Sequence, residues 1–236
     1  MERKVDALVL RTADYGESDR MLTLFTMQYG KLSAAAKGVR KAAAKLRFAA
    51  QPFCFAEYVL AQRRDRYTVI GAAGTDGFYA LREDIGKFYA AASLAGLCDA
   101  ILPEGIVNEE LFLRAVSALR EMCEGDEALA LIGFFIKALE LSGYMLDLAA
   151  CADCGAVLEG KVFFDAEGGC FYCSDCARGA GVSESTLHVL KACAGGRSDA
   201  PLTADGKKRA LKLLYAYFRA KTDAQVRAVT EYIRLL

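Results

Sequence analysis

The chain has 236 residues, enough for one large domain or for two or three small ones, and 54% of them are hydrophobic. The charged fraction of 25% is that of an ordinary soluble protein. The longest apolar run, residues 128–136, is far too short to span a bilayer, and the N-terminus lacks the apolar segment of a signal peptide. We therefore expect a cytoplasmic protein without membrane contacts, in which cysteines stay reduced and available to a metal.

The net charge of zero hides an asymmetry along the chain. Residues 1–80 hold thirteen Lys and Arg against eight Asp and Glu, a net charge of +5, and the remaining residues carry −5. Nine basic residues lie between positions 31 and 66, where only Glu57 and Asp65 are acidic. This contrast predicts that the N-terminal part binds a polyanion.

The first eighty residues predict a β-rich domain, because short β-prone apolar runs alternate with turn signals. The last two runs flank residues 63–66, three arginines around Asp65, which would form the tip of a hairpin. Five strands are typical of a small barrel or sandwich, and five is the number in an OB-fold. Residues 38–47 would join the third and fourth strands as a short basic helix or as a loop. The predicted strands are residues 5–11, 21–27, 31–37, 53–62 and 67–72.

From residue 81 the hydrophobic period becomes helical, which predicts a helical domain over residues 81–236. The third predicted helix is apolar on nearly every side and should lie at the centre of a bundle. The predicted N-caps are Asn108, Asp126, Ser183 and Asp223. The predicted helices are residues 83–102, 109–124, 127–141, 184–194, 203–220 and 224–236.

Four of the nine cysteines form two Cys-x-x-Cys pairs, Cys151 with Cys154 and Cys173 with Cys176, separated by eighteen residues. This spacing matches zinc sites with four thiolate ligands. Four protein ligands leave no open coordination position, so we expect one structural Zn²⁺ rather than a catalytic one. Apolar residues on both sides of a Gly-Gly turn between the pairs predict the hairpin of a zinc ribbon.

Other interpretations of the cysteines fit less well. A disulfide framework needs an oxidising compartment, and a thioredoxin-like motif needs a single Cys-x-x-Cys near a βαβ unit. Cys170 could offer an alternative sulfur, although its place at the end of a strand favours packing. The remaining cysteines lie in apolar contexts as small buried hydrophobes: Cys54, Cys98, Cys123 and Cys193.

The sequence offers no catalytic constellation, so we expect a binding protein with no catalytic residues. The single histidine, His188, lies in a predicted helix, and neither a phosphate-binding loop nor a dinucleotide-binding glycine motif is present. Glu109 and Glu110 lie at a helix start, where they complement the dipole.

The basic residues of the N-terminal part are the functional candidates. Phosphates require Lys and Arg along a groove, and single strands also require aromatic faces on which bases stack. A solvated charged face with core aromatics is the alternative, and no base-specific motif is visible. The candidates in the loop are Lys37, Arg40, Lys41, Lys45 and Arg47. Those at the hairpin tip are Arg63, Arg64 and Arg66. The aromatics that could stack are Tyr15, Phe25, Tyr29, Phe48 and Tyr67.

Several segments of the chain form a pattern: residues 7–11, 15–20, 24–26, 30–31, 36–41 and 51–53, and the ribbon with its Gly168-Gly169 turn. Together they resemble the bacterial DNA repair protein RecO family. The resemblance implies an α+β chain in which an N-terminal five-stranded OB-fold barrel, residues 1–80, precedes a helical domain, residues 81–236. That helical domain would carry the four-cysteine zinc ribbon at about residues 150–180.

The resemblance also implies a function, that of a recombination mediator in the RecF pathway at the nucleoid. Proteins of this family bind single- and double-stranded DNA and anneal complementary strands. With RecR they help RecA replace the single-stranded DNA-binding protein on gapped DNA. The residues that match the family's DNA-binding face are Lys37, Arg40 and Lys41, with Arg11, Arg20 and Arg47 as further candidates.

Three alternatives stay open beside this resemblance: an RNA-binding factor built from the same modules, an enzyme such as a zinc-containing nucleotide kinase, and a structural adaptor. The chain departs from the family pattern at its C-terminal end. Residues 217–219 and 224–227 stand where the family tends to have a histidine and a Lys-Ser pair.

Overall fold

Five strands at the N-terminus close into a barrel, as predicted. The computed structural model describes residues 1–196 and 200–236. The strands pair in the order β1-β2-β3-β5-β4, with β4 returning to β1, and only β3 and β5 run parallel. The strands are β1 (Glu2–Tyr15), β2 (Asp19–Thr26), β3 (Gly30–Ala36), β4 (Phe55–Arg63) and β5 (Arg66–Asp76).

The barrel interior follows from the alternation of side chains along each strand. Val5, Ala7 and Val9 of β1 are buried in it, and a β-bulge between Val9 and Arg11 shifts the alternation of the second half of the strand. Tyr58 lies fully buried inside and donates its hydroxyl to the carbonyl of Ala49 at 2.7 Å. This bond ties the 3₁₀ turn Phe48–Ala50 to the barrel interior.

Seven helices are described after the barrel, and the fourth of them is buried along most of its length, as expected for the centre of a bundle. The first predicted helix begins at Ile85 rather than at residue 83, because the side chain of Asp84 accepts from Lys87 N and caps it, and a separate short helix ends at Glu83. The helices are α1 (Ala80–Glu83), α2 (Ile85–Ile101), α3 (Glu109–Glu124), α4 (Glu127–Leu141), α5 (Glu184–Cys193), α6 (Ala204–Thr222) and α7 (Arg227–Leu235).

Three of the four predicted N-caps are confirmed. The side chains of Asn108, Asp126 and Ser183 each accept a hydrogen bond from a backbone N–H in the first turn of the following helix. The prediction for Asp223 is wrong. Asp223 instead ends α6 in a left-handed conformation with φ 54°, a role that Asp tolerates better than most residues, and α7 begins later, at Arg227.

Asp126 links α4 to α6, because it caps the first and forms an ion pair with Lys207 of the second. Burial alone would raise the pKa of Asp126, but the hydrogen bonds from Lys207 and from two backbone N–H groups lower it below its ordinary value. A carboxylate with a lowered pKa stabilises the fold above the pKa of the unfolded chain, and this contribution is lost as the pH falls through the folded pKa.

We expect Asp126→Ala to lower the free energy of unfolding by about 1–2 kcal/mol, because both the cap and the ion pair are lost. Asp126→Asn keeps the cap and should cost less. The advantage of wild type over Asp126→Asn should be full at neutral pH and should decline progressively as the pH falls below about 4. Urea unfolding of the three proteins across pH measures these differences, and a pH-independent gap between wild type and Asp126→Asn would contradict the ion-pair assignment.

The barrel packs against the helices through its outer apolar side chains. Phe25 of β2 and Phe55 of β4 both meet the ring of Phe112 on α3, with centroids 5.2 and 5.9 Å apart. The Lys31 ammonium lies 3.0 Å from a carboxylate oxygen of Asp99 on α2. One cluster of buried residues therefore runs from the outer side of the barrel into the helices, while a second fills the barrel interior.

A small three-stranded sheet follows α4 and forms the predicted ribbon. Its strands are β6 (Val162–Asp165), β7 (Cys170–Tyr172) and β8 (Ala180–Val182), in the order β7-β6-β8. The hairpin of β6 and β7 is confirmed, while β8 was not predicted. The ring of Phe164 packs edge-on against Tyr217 of α6 at 5.6 Å, so the ribbon lies on the helices. Among the described residues, no helix is long and apolar enough to cross a membrane.

Candidate metal centre and nucleic-acid interface

The four cysteines of the two pairs converge at one end of the ribbon. Their sulfur atoms all lie within 4.8 Å of one another, and Cys154 Sγ lies 3.7 Å from Cys173 Sγ. Four sulfurs at the Zn–S distance of about 2.3 Å in a tetrahedral site lie about 3.8 Å apart. The cluster therefore has the dimensions of a four-thiolate metal site.

The backbone brings the two pairs together. Gly155 N donates to the Cys151 carbonyl at 2.9 Å and Cys151 N donates to the Ala156 carbonyl at 2.8 Å, which folds the first pair into a tight turn. Ala152 N then donates to the carbonyl of Phe171 on β7 at 2.9 Å, which links this turn to the strand before the second pair. Hydrogen bonds within the ribbon thus hold the four sulfurs close together.

The acidities of the thiols fit a cation at this point. Backbone N–H groups of Cys154 and then Cys173 lower the pKa of the Cys151 thiol to about 6. The pKa of Cys176 is raised to about 12, because its thiol hydrogen-bonds to the sulfurs of Cys154 and Cys173. Several thiolates this close repel each other, and a bound cation removes that penalty. The residues present can hold a metal ion with all four positions filled.

Cys170 lies outside this cluster of four. Its sulfur donates to the carbonyl of Gly168 at 3.6 Å, in the turn between β6 and β7. That the four cysteines bind a metal stays a prediction, and the structure brings all four sulfurs together.

Two of the candidate DNA-binding residues, Arg20 and Arg40, form ion pairs with the same carboxylate, that of Asp14. Arg20 Nε lies 3.0 Å from Asp14 Oδ1, and its Nη1 donates to the Ala50 carbonyl at 3.0 Å. Arg40 Nη2 lies 3.2 Å from Asp14 Oδ2, and its Nη1 donates to the Gly16 carbonyl at 3.2 Å. Both arginines tie the loop after β3 to the barrel, which leaves them fewer free donors for phosphate.

The remaining basic residues of that connection are free of such contacts. The segment is a run of turns that ends in the 3₁₀ turn, so the loop interpretation is confirmed and the helix interpretation is not. Each of its other candidates is exposed and makes no ion pair within residues 1–196 and 200–236. They are Lys37, Lys41, Lys45 and Arg47.

The hairpin tip lies toward the other end of the barrel. β4 pairs with the start of β1, Ala61 opposite Glu2, whereas β3 ends at Ala36 beside the start of β2. Arg64 and Asp65 form the turn, with Arg64 in a left-handed conformation at φ 55°. The tip encloses a cleft of about 440 Å³ lined by Arg63, Arg64, Asp65 and Arg66.

An outer surface of the barrel lies between these two groups of basic residues. The register places Arg11, Thr23 and Ser33 in one row across β1, β2 and β3, and Ala13, Met21 and Ala35 in the next row, which Thr68 of β5 continues. Thr23, Ser33 and Ala35 alternate with interior residues such as Leu22, Leu24 and Ala34, so this side of the strands faces outward. Arg11, Ala13 and Ser33 are exposed there, Met21, Ala35 and Thr68 are half-buried, and Thr23 is buried. We call the seven residues the barrel face: Arg11, Ala13, Met21, Thr23, Ser33, Ala35 and Thr68.

The aromatic candidates divide into exposed and engaged residues. Tyr15 and Phe48 are 62% and 43% exposed, so their faces are accessible. Phe25 is fully buried against α3 and cannot stack on a base. The guanidinium carbon of Arg3 lies over the ring of Tyr29, 4.7 Å from the ring centroid. Tyr67 packs against the barrel core.

Comparisons with known proteins match nearly the whole chain to one family. A family model described as recombination protein O, N terminal, matches residues 1–78, and one described as recombination protein O, C terminal, matches residues 82–228. The chain belongs to the RecO family. A DNA repair protein RecO from Desulforamulus reducens is 38% identical over 193 residues, which cover 80% of this chain and 75% of the relative. The corresponding protein of Pelotomaculum thermopropionicum is 36% identical over the same share of each chain.

Sequence reasoning missed the small polar residues of the barrel face. Thr23, Ser33 and Ala35 carry little charge or aromatic character, so none was a candidate. A usable signal existed, because these outward positions alternate with the apolar Leu22, Leu24 and other inward residues.

Proposed function

We propose that this member of the RecO family is a recombination mediator in DNA repair. It binds single- and double-stranded DNA, anneals complementary strands and, with RecR, helps load RecA onto gaps covered by the single-stranded DNA-binding protein. The observation that carries the proposal is the barrel face, flanked by exposed basic residues at both ends. OB-folds bind oligonucleotides on the face of strands 2 and 3 and through the loops between strands 1 and 2 and strands 4 and 5.

The arrangement suits a sequence-independent annealing protein. Lys37 and Lys41 on one side and the hairpin arginines on the other would hold phosphates, while the small residues between them leave room for the chain of nucleotides. Bases held by their backbone stay free to pair with a second strand. Annealing then requires charge neutralisation and proximity, not hydrolysis of a cofactor, so we propose no catalytic activity.

We expect Lys37→Ala with Lys41→Ala to weaken binding of single-stranded DNA about tenfold or more at 0.1 M salt, irrespective of sequence. The slope of log affinity against log salt should fall by about 2, since each lysine neutralises one phosphate. Fluorescence anisotropy with a labelled oligonucleotide measures both. Arg40→Ala should have a smaller effect than Lys41→Ala, because Arg40 is already paired with Asp14.

The matched control is Lys208→Ala with Lys212→Ala, two lysines of α6 outside the barrel without an ion pair in the described chain. It should bind DNA like wild type. A control that loses more affinity than the barrel variant would contradict the assignment of the DNA-binding surface. Annealing of complementary oligonucleotides by the same proteins tests the proposed activity, and tighter binding of RNA than of DNA of the same sequence would favour an RNA-binding factor instead.

We also propose that Zn²⁺ is the metal of the four-cysteine cluster and that its role is structural. Thiolate ligands, tetrahedral dimensions and a closed coordination shell support zinc. The division into a DNA-binding domain, residues 1–80, and a helical domain with the ribbon, residues 81–236, is part of the same proposal. With chromosomal DNA as its partner, the protein would act at the nucleoid.

A further inference from the structure

A groove separates the barrel from the helices on the side where the barrel face ends. It has a volume of about 700 Å³, within the range of about 300–1,000 Å³ for ligand sites. Its lining includes the small residues Ala92, Ala95 and Gly96 of α2 and the rings of Phe53 and Phe88. We call it the barrel–helix groove.

Two arginines line the barrel–helix groove, one from the barrel and one from the helices. Arg11 lies on the β1 wall, and Arg227 lies on the α7 wall with a side chain that is 91% exposed. Arg11 makes no ion pair with any described residue, and Arg227 has only Glu231, with Nε 3.6 Å from the carboxylate. The acidic residue of the groove, Asp99, is already neutralised by Lys31 at 3.0 Å. The free charge of the groove is therefore positive.

An exposed aromatic ring accompanies these charges. Phe88 is 36% exposed and meets Phe53 and Tyr89 edge-on, with centroids 5.6 and 5.7 Å away, so part of its ring is accessible. An accessible ring beside separated guanidinium groups is the combination that binds single-stranded nucleic acid, in which bases stack and phosphates pair with cations.

The position of Arg227 is set by contacts at the start of α7. The hydroxyl of Tyr215 on α6 accepts from Val226 N at 2.9 Å and lies 3.1 Å from the Val226 carbonyl. Val226 also packs closely against α2 at Gly96, which has no side chain. A Cβ at Gly96 would lie only 2.4 Å from a Val226 methyl. These contacts fix the first turn of α7 on the groove wall.

The barrel–helix groove continues the barrel face. Arg11 belongs to both, at the end of the row Ser33, Thr23 and Arg11 across three strands. A strand that crosses the face from β3 to β1 arrives at this groove. We propose that the barrel–helix groove receives the continuation of a single DNA strand, with Arg11 and Arg227 binding phosphates and Phe88 stacking on a base. This inference rests on the proposed function.

The first experiment compares Arg227→Ala with Arg234→Ala in the full chain. Both arginines lie on α7 and both pair with Glu231, but only Arg227 lines the groove. We expect Arg227→Ala to bind a 25-nucleotide oligo-dT about fivefold more weakly than wild type and to lower the salt slope by about 1. Arg234→Ala should match wild type. Equal behaviour of the two variants would overturn the inference.

The second experiment uses the absence of tryptophan from the sequence. Phe88→Trp introduces a single fluorophore on the groove, and Leu113→Trp introduces one on an exposed part of α3 that does not line it. We expect saturation with the same oligo-dT to quench the fluorescence of Phe88→Trp by base stacking and to leave Leu113→Trp unchanged. No quenching of Phe88→Trp at saturation would overturn the stacking assignment.

The outcomes separate the two proposals. If wild type fails to bind oligo-dT, both the proposed function and the groove inference that rests on it are wrong. If wild type binds, Lys37→Ala with Lys41→Ala weakens binding, and Arg227→Ala does not, the groove inference alone fails. If an acidic apolar peptide with alternating Glu and Phe quenches Phe88→Trp and oligo-dT does not, the groove binds a protein partner and the inference is wrong.

Discussion

Replacing Cys173 by Ser should release the metal from the ribbon and destabilise the protein by several kcal/mol. Structural zinc contributes apparent free energies of about 10–16 kcal/mol in small zinc-binding peptides, and three remaining thiolates bind it far more weakly. The strands of the ribbon are only three or four residues long, so they contribute few backbone hydrogen bonds of their own. The buried rings of Phe164 and Phe171 belong to the same core cluster as the helices, so the loss should spread to them.

Metal content and thermal unfolding measure this effect. Wild type should carry one Zn²⁺ per chain, and a strong chelator should lower its melting temperature. Cys173→Ser should carry no metal and melt like the chelated protein. The matched control is Cys170→Ser, which removes a cysteine of the same ribbon outside the cluster and should keep one Zn²⁺. A wild-type protein that is metal-free, folded and insensitive to the chelator would refute the zinc site.

Replacing Gly30 by Ala should disturb the contact between barrel and helices and lower the free energy of unfolding by more than about 3 kcal/mol. A Cβ at Gly30 would lie 2.1 Å from the carbonyl oxygen of Ile106, in the connection between α2 and α3. That connection pairs with β3 through Gly105 N, which donates to the Lys31 carbonyl at 2.9 Å. Because backbone atoms stand in the way, relief requires the whole connection to move.

The control for this variant is Gly38→Ala. Gly38 has φ 67°, close to the 64° of Gly30, but a Cβ there would have no neighbour within 4 Å. Gly38→Ala therefore measures only the cost of a left-handed alanine, about 1–2 kcal/mol. Urea unfolding of both variants gives the difference, which reports the contact with Ile106. Equal losses in the two variants would show that this contact does not hold the barrel to the helices.

The sequence determined those features that depend on residues close together in the chain. The spacing within each Cys-x-x-Cys pair sets a turn that aims two sulfurs at one point, and the Gly-Gly turn between the pairs sets the hairpin. Asn108, Asp126 and Ser183 were predicted as N-caps because each bonds N–H groups only two or three residues ahead. Short β-prone runs bounded by turn signals likewise predicted the barrel strands, and the apolar residues on nearly every side of α4 predicted its burial.

Tertiary contacts overrode local signals at several points. Asp223 has the chemistry of an N-cap, yet α7 begins later, where Tyr215 and Gly96 hold Val226. Phe25 was a stacking candidate, but the third helix covers it. The division of the chain near residue 80 stays a prediction.

Only the tertiary structure decided which basic residues are available to DNA. Arg40 ranked with Lys37 and Lys41 in the sequence, and Arg20 was a further candidate, but Asp14, far from Arg40 in the chain, engages both arginines. The barrel–helix groove combines residues from β1, α2 and α7, so no local pattern announces it. The distribution of basic residues along the sequence predicts that the protein binds an anion. The packing of distant segments determines which of those basic side chains remain unpaired and which surface they occupy.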